Sequence, residues 1–277
     1  MTQTTRARRE RRGIPLRALA PNAVTALALC CGLTGVRFAI SAAGGGGIED
    51  WEKAIACVIG AGVLDGLDGR IARLLKGESR FGAELDSLSD VIAFGVAPAL
   101  IMFLWSLQHA PRWGWLFALA HGVCCALRLA RFNAQIDASE QPHKSAGFLT
   151  GVPAPAAAGM ALLPVYLWLW TGLGTFREAW VVAPWMAIVA LLMVSSVATY
   201  SWGALRLRRG IRFGLLVAIA MVFGALITAP WTTLTALVVV YAALIPLGMR
   251  GYAKVRRQRA TAPVPRPNAS GSSGEPA

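Results

Sequence analysis

The chain is poor in charged residues, and this scarcity excludes the usual kinds of soluble protein. Only 15% of its 277 residues are charged, whereas an ordinary soluble domain carries about 25%. Apolar residues make up 56% of the chain, and the mean hydropathy is +0.54. This composition predicts a membrane protein and not a water-soluble globule.

Cysteine and histidine are also scarce, with five and three residues respectively. No two cysteines have the CxxC spacing of zinc or redox sites, so we expect free thiols. The histidines are scattered along the sequence, which gives no sign of a histidine metal centre. A metal site in this chain would need oxygen ligands.

Acidic residues are few compared with basic ones, 14 against 27, which gives a formal net charge of +13. Such an excess can indicate nucleic-acid binding. Here, however, the basic residues lie between apolar runs and do not form one patch. We therefore expect no nucleic-acid partner.

Eight apolar segments are long enough to cross about 30 Å of hydrocarbon as helices at about 1.5 Å per residue. Their length and the absence of alternating polarity exclude barrel strands. The predicted fold class is all-α, a polytopic membrane helix bundle. The predicted spans are 22–42, 53–75, 84–107, 113–133, 152–171, 179–201, 212–229 and 231–249. Seven tryptophans at predicted outer ends suggest an interfacial belt: Trp51, Trp105, Trp113, Trp168, Trp170, Trp180 and Trp231.

The basic residues also predict the orientation. Of the 27 lysines and arginines, 23 lie before the first span, after the last, or in every second loop together with the span ends that border it. Because cytoplasmic flanks collect basic residues, both termini are expected in the cytoplasm. We divide the chain into a basic cytoplasmic arm (1–20), a membrane-embedded catalytic domain (21–250) and a cytoplasmic tail (251–277), which its Pro, Ser and Gly content predicts to be disordered.

Four aspartates lie at membrane depth in the segment DGLDGRIARLLKGESRFGAELDSLSD, residues 65–90. One central aspartate costs about 2.5–3.5 kcal/mol on insertion scales, so the four together approach roughly 10 kcal/mol without compensation. On a helix, Asp65 and Asp68 share a face with the small residues Gly69 and Ala72. The carboxylates therefore lie where other groups can approach them closely.

Asp86 and Asp90, four residues apart, share a face of the next helix. An antiparallel hairpin brings the two pairs of carboxylates around one cavity, where they repel unless protonated, paired with cations or bound to metal. Pairing with Arg70, Arg73 or Arg80 is one interpretation. Oxygen-only ligands favour the other, Mg²⁺ or Mn²⁺, and two such ions about 3.5–4 Å apart can bridge a diphosphate.

The spacing of eight residues in this segment resembles the motif of the CDP-alcohol phosphatidyltransferases. They are Asp65, Asp68, Gly69, Ala72, Arg73, Gly82, Asp86 and Asp90. The resemblance implies a six-helix core and a CDP-linked lipid donor reached from the cytoplasm. It also implies that the four aspartates hold divalent metal and that Asp90 is the general base. Gly69, Ala72 and Gly82 leave room for the CDP moiety, with Arg73 on its phosphates.

Further segments, 85–99, 126–133 and 147–159 together with the Pro21-Asn22-x-x-Thr25 motif, resemble bacterial and archaeal members of the family that form phosphatidylserine. This implies an enzyme of the plasma membrane whose substrates are CDP-diacylglycerol and L-serine. The candidates for binding the serine carboxylate or a lipid phosphate are Arg128, Arg131 and Asn133, with Lys144 a weaker candidate. Ordinary positive-inside anchoring is the alternative interpretation of these basic residues.

Two other functions fit parts of the sequence. A sister enzyme would use glycerol 3-phosphate, an inositol compound or choline as the acceptor. A cation transporter would use the aspartates but leaves the glycines and Arg73 unexplained. Small residues in the fifth span permit either a homodimer or close packing within the chain. They are Ala154, Ala156, Ala157, Ala158, Gly159 and Ala161.

Overall fold

The computed structural model describes residues 16–77, 79–110, 112–136, 148–195, 198–200 and 209–261, and within them the fold is helical. Lys144 lies outside these residues. The α-helices are α1 Leu16–Ala43, α2 Ile48–Leu75, α3 Arg80–Asp90, α4 Ala97–Trp105, α5 Gly114–Ile136, α6 Ala154–Ala161, α7 Leu163–Thr171, α8 Ala179–Val194, α9 Arg209–Thr228 and α10 Pro230–Thr261. A π-helical segment, Val91–Val96, joins α3 to α4 without a break.

Each of the eight predicted spans coincides with helical structure, so the all-α membrane fold is confirmed. The third span consists of α3, the π-helical segment and α4, and the fifth consists of α6 and α7. Four helical stretches have the length and composition to cross a membrane: Leu19–Ala43, Arg80–Trp105, Gly114–Ala134 and Ala154–Thr171. Shorter apolar helices occur at Ala179–Val194, Phe213–Thr228 and Pro230–Pro246. The protein is an integral membrane protein.

Three boundaries differ from the sequence-based expectation. α8 ends at Val194, before the predicted end of the sixth span at 201, and the chain continues into strand β2, Ala198–Tyr200. β2 pairs antiparallel with β1, Phe148–Thr150, and Phe148 lies opposite Tyr200. α1 begins at residue 16, inside the predicted arm. α10 continues to residue 261, so the first part of the tail predicted to be disordered is helical.

Glycines allow α1 to pack closely against its neighbours. A Cβ atom on Gly32 would lie 2.9 Å from the Cα of Ala93 in the π-helical segment. A Cβ atom on Gly35 would lie 2.9 Å from the carbonyl oxygen of Ala54 in α2. Both distances are shorter than the contacts that Cβ atoms make in proteins. A larger residue at either position would therefore push α1 away from the π-helical segment or from α2.

The π-helical segment is fixed by the fully buried His121 of α5. His121 Nε2 lies 3.2 Å from the carbonyl oxygen of Phe94. Because that carbonyl can only accept, we assign the ring proton to Nε2. A π-helical turn widens the helix locally, and this one directly follows Asp90.

Packing within the chain accounts for the small residues of the fifth span. Ala154, Ala157, Ala158 and Ala161 are at most 1% exposed in the single chain. Their helix, α6, packs against α8, α4 and α10. These alanines therefore give no support for a dimer.

The tryptophan belt expectation is correct only in part. Trp113, Trp170 and Trp180 are more than half exposed, as residues at a lipid interface should be. Trp51 and Trp105 are buried in the core, where Trp105 packs edge-to-face on Trp168. For these two residues the expectation is wrong because neighbouring helices cover them. All five cysteines are free thiols, as predicted.

The close contact of α1 with α2 predicts that two Gly→Ala substitutions affect the stability of the protein differently. Gly35→Ala should lower the free energy of unfolding by about 1–3 kcal/mol because its Cβ overlaps the backbone of α2. Gly60→Ala, in α2, meets no atom within 4 Å and should be neutral or stabilising, because alanine favours helix. Thermal unfolding in detergent measures both. Equal melting temperatures for the two variants would contradict the packing argument.

Candidate active site

The turn between α2 and α3 folds the acidic segment into a hairpin. α2 ends at Leu75 and is capped by Lys76, whose φ of 50° is left-handed, and the amide of Gly77 donates to the carbonyl of Ala72 at 3.0 Å. Ser79 then caps α3, because its hydroxyl accepts a hydrogen bond from the amide of Gly82 at 3.0 Å. The hairpin places the two pairs of aspartates opposite each other.

Three of the four aspartates form a compact group. One carboxylate oxygen from each of Asp65, Asp68 and Asp86 lies within 4.8 Å of the others. Asp68 is 5% exposed, whereas Asp65 and Asp86 are half-buried. Asp90 lies beside this group, with its carboxyl in hydrogen-bonding contact with that of Asp65. The predicted convergence of the four side chains is therefore present, with Asp90 at the edge.

No arginine neutralises these carboxylates in the part of the chain that the structure describes. The ion pairs found there are those of Lys53 with Glu49 at 3.6 Å and with Asp50 at 3.5 Å. Arg73 Nε instead donates to the carbonyl of Gly69 at 2.9 Å. Closely spaced, partly buried oxygen ligands without a basic partner suit a hard divalent cation. The acidic group can bind a metal ion.

A cleft of about 410 Å³ opens beside the acidic group, between α1, α2 and α3. All four residues predicted to receive the CDP moiety line it, together with two of the aspartates. The lining consists of Pro21, Asn22, Thr25, Asp68, Gly69, Ala72, Arg73, Gly77, Ser79, Gly82, Ala83 and Asp86. A Cβ atom on Gly82 would lie 2.7 Å from Asn22 Oδ1, while one on Gly69 would meet no atom within 4 Å. Gly82 thus lets α1 close one wall, and Gly69 leaves the cleft open.

Thr25 supports Asp68, a role that the sequence analysis did not assign. Its hydroxyl donates to Asp68 Oδ2 at 2.6 Å and contacts the carbonyl of Pro21 at 3.1 Å. The hydroxyl of Ser89 donates to the carbonyl of Thr25 at 3.3 Å. These bonds join α1, α2 and α3 behind the acidic group. The Pro21-Asn22-x-x-Thr25 motif drew attention to Thr25 in the sequence, but the motif does not indicate that Thr25 bonds to Asp68.

The predicted substrate residues of α5 lie outside this cleft and have different partners. Asn133 Nδ2 donates to the hydroxyl of Ser87 in α3 at 2.9 Å. Arg131 donates to the carbonyls of Val194 and Ser195 at the end of α8, at 3.1 and 3.3 Å. Arg128 is partly buried and interacts electrostatically with Asp90. Of these residues, Arg128 is the one placed beside the acidic group.

Two parts of the sequence match family profiles of CDP-alcohol phosphatidyltransferases. Residues 18–194 match the profile of the CDP-alcohol phosphatidyltransferases, which includes the acidic hairpin and the cleft. Residues 211–246 match a second profile, CDP-alcohol phosphatidyltransferase 2.

Three curated proteins to which this chain is similar are each named CDP-diacylglycerol–serine O-phosphatidyltransferase. The protein of Mycobacterium bovis is 36% identical over 242 residues, covering 87% of this chain and 82% of the relative. That of Mycobacterium leprae is 35% identical over 241 residues, with coverage of 87% and 77%. That of Helicobacter pylori is 39% identical over 151 residues, with coverage of 54% and 58%.

The bond from Thr25 to Asp68 predicts that Thr25→Val weakens metal binding about tenfold or more, since loss of a hydrogen bond to a ligand has effects of this size. Thr25→Ser keeps the hydroxyl and should bind like the unmodified chain. Titration of the purified protein with Mn²⁺, followed by electron paramagnetic resonance, measures free and bound ion directly.

Thr34→Val is the matched control, because Thr34 lies on the same helix and its hydroxyl bonds only to the carbonyl of Cys30, at 2.6 Å. It should leave Mn²⁺ binding unchanged. If Thr25→Val bound Mn²⁺ as tightly as Thr34→Val, Thr25 would have no part in positioning Asp68.

Proposed function

Because the chain belongs to the CDP-alcohol phosphatidyltransferase family, we propose that it transfers the phosphatidyl group of CDP-diacylglycerol to L-serine, giving phosphatidylserine and CMP. One observation carries this proposal: three carboxylates within 4.8 Å of each other adjoin a cleft with the space and the small-residue lining that a nucleotide needs. We infer the acceptor, L-serine, from the activity that the relatives are named for.

The cleft is the proposed site of the CDP moiety. Gly69 and Ala72 present an open surface to the nucleotide, and Arg73 provides positive charge for its phosphates. Asp65, Asp68 and Asp86 hold the metal, with Asp90 at the edge of the set. We propose Mg²⁺ or Mn²⁺, which prefer oxygen ligands. When bound, such an ion offsets negative charge on the diphosphate.

Asp90 is the proposed general base. It lies at the edge of the acidic group, and its ionised carboxylate can accept the proton of the serine hydroxyl. The serine oxygen then forms a bond to the lipid-side phosphorus, and the bond from that phosphorus to the bridging oxygen of CMP breaks. CMP leaves with the electron pair. We favour direct displacement over a covalent enzyme intermediate because no activated Ser, Cys or His nucleophile accompanies the acidic group among the described residues. The buried His121 is hydrogen-bonded to the carbonyl of Phe94.

The acceptor is proposed to bind on the α5 side of Asp90. Arg128 lies near Asp90 and carries the charge that a carboxylate requires. Arg131 and Asn133 contact α8 and α3, so in this proposal they position α5 beside the site. We propose that the site opens to the cytoplasm, because the distribution of basic residues predicts that both chain ends lie there. We keep the predicted arm, catalytic domain and tail as the proposed division of the chain. We also propose that a homodimer would use a surface other than the buried alanines of α6.

Substitution of the proposed base gives the sharpest test. Asp90→Asn should lower CMP release from CDP-diacylglycerol and L-serine by at least about 100-fold, the usual contribution of general base catalysis. Asp50→Asn is the matched control, because Asp50 pairs with Lys53 and Ser41 at the other end of α2. It should retain full activity. Normal turnover by Asp90→Asn would remove Asp90 from the mechanism.

Metal removal and acceptor choice test the rest of the proposal. Dialysis against EDTA should abolish CMP release, and Mn²⁺ or Mg²⁺ should restore it because the acidic group lacks other cations. With metal present, L-serine should be used in preference to glycerol 3-phosphate, inositol phosphate and choline. Ion uptake into proteoliposomes without CMP release from any of these alcohols would favour a transporter instead.

A further inference from the structure

Two side chains of the described residues that interact electrostatically with each other each have a buried polar atom without a hydrogen-bond partner. The two atoms are Nε of Arg128 on α5 and the hydroxyl oxygen of Tyr241 on α10. An unpaired buried donor costs about 1–3 kcal/mol, and buried polar groups in proteins are nearly always bonded. Trp105, His121 and Thr235 also have such an atom, but Arg128 is the one of the five that carries a charge and interacts electrostatically with an aspartate of the acidic group, Asp90.

The two side chains are neighbours of each other. Arg128 interacts electrostatically with both Tyr241 and Asp90. Arg128 and Asp90, both within the described residues, form no ion pair at 4.0 Å or less, so a separation remains between guanidinium and carboxylate. None of the three residues lines the proposed nucleotide cleft.

The unpaired donors define the charge of the ligand. The Nε edge of a guanidinium binds a carboxylate through two parallel hydrogen bonds, and a phenol hydroxyl can donate a third to the same group. The second arginine of this region, Arg131, already donates to Val194 and Ser195. One uncommitted guanidinium balances the single charge of a carboxylate better than the double charge of a phosphate monoester.

We propose that Tyr241 is a specificity-determining residue which, with Arg128, holds the carboxylate of an amino-acid acceptor while the acceptor hydroxyl faces Asp90. This inference rests on the proposed function, whose acceptor is serine, and adds a residue from α10. Serine suits the arrangement because its hydroxyl and carboxylate are close together on a short carbon frame. Tyr241 packs against the core through its ring, so its hydroxyl is held in place.

Tyr241→Phe tests the proposal in the purified full-length chain. The substitution removes one hydrogen bond to a charged group, so the KM for L-serine should rise about tenfold. The kcat and the KM for CDP-diacylglycerol should stay within about twofold, because Tyr241 does not line the cleft and does not belong to the acidic group. Tyr166→Phe, a buried tyrosine of α7, is the matched control and should leave all three constants unchanged.

Carboxylate-free acceptors separate specificity from structure. L-serinamide should compete poorly with L-serine for the unmodified enzyme, and Tyr241→Phe should use ethanolamine no worse than the unmodified enzyme does. Efficient competition by L-serinamide would overturn the proposal without need of any variant. An unchanged KM for L-serine in Tyr241→Phe would also overturn it. If Tyr241→Phe lost as much activity with ethanolamine as with L-serine, the role of Tyr241 would be structural and the proposal would be wrong.

The proposed function fails by a different result. If the unmodified chain released no CMP with L-serine but did so with another alcohol, both the serine assignment and the carboxylate site would be wrong. If it used L-serine and Tyr241→Phe behaved as the unmodified chain does, the failure would be that of Tyr241 alone.

Discussion

Mutual repulsion of carboxylates within a membrane protein is the constraint on which this structure depends. Asp65, Asp68 and Asp86 place oxygens within 4.8 Å of each other, and Asp68 is almost wholly removed from solvent. Such a group is stable only when it is protonated, paired with cations or bound to metal, and no described lysine or arginine forms an ion pair with it. The acidic group can therefore bind a metal ion, whose charge would offset this repulsion.

Helix α1 supplies the support for this arrangement. Its Thr25 bonds to Asp68, and its Asn22 lies against Gly82 at the wall of the cleft. Gly32 and Gly35 let the same helix approach the π-helical segment and α2 closely. One helix therefore positions the acidic group and shapes the cleft, so the cleft and the metal site are coupled through shared packing.

The proposed chemistry assigns the two sides of Asp90 to different substrates. The nucleotide side is built from α1, α2 and α3, and it combines small residues and two aspartates with Arg73. The acceptor side is built from α5 and α10, where Arg128 and Tyr241 have uncommitted donors. Because separate helices form the two sides, the acceptor can change without alteration of the motif. Choice of alcohol and cleavage of the CDP-lipid then depend on different residues.

The sequence by itself determined the spans, the helical hairpin and the shared faces of the aspartates, because hydropathy and the turn of a helix are local properties. Only the tertiary structure decided which residues meet across the chain. The bond of Thr25 to Asp68 joins positions 43 residues apart, and burial of Trp105 depends on helices packed around it. Likewise, the hydrogen-bond partners of Arg131 depend on where α8 packs, and the unpaired hydroxyl of Tyr241 depends on where α10 packs. No local pattern in the sequence specifies either position.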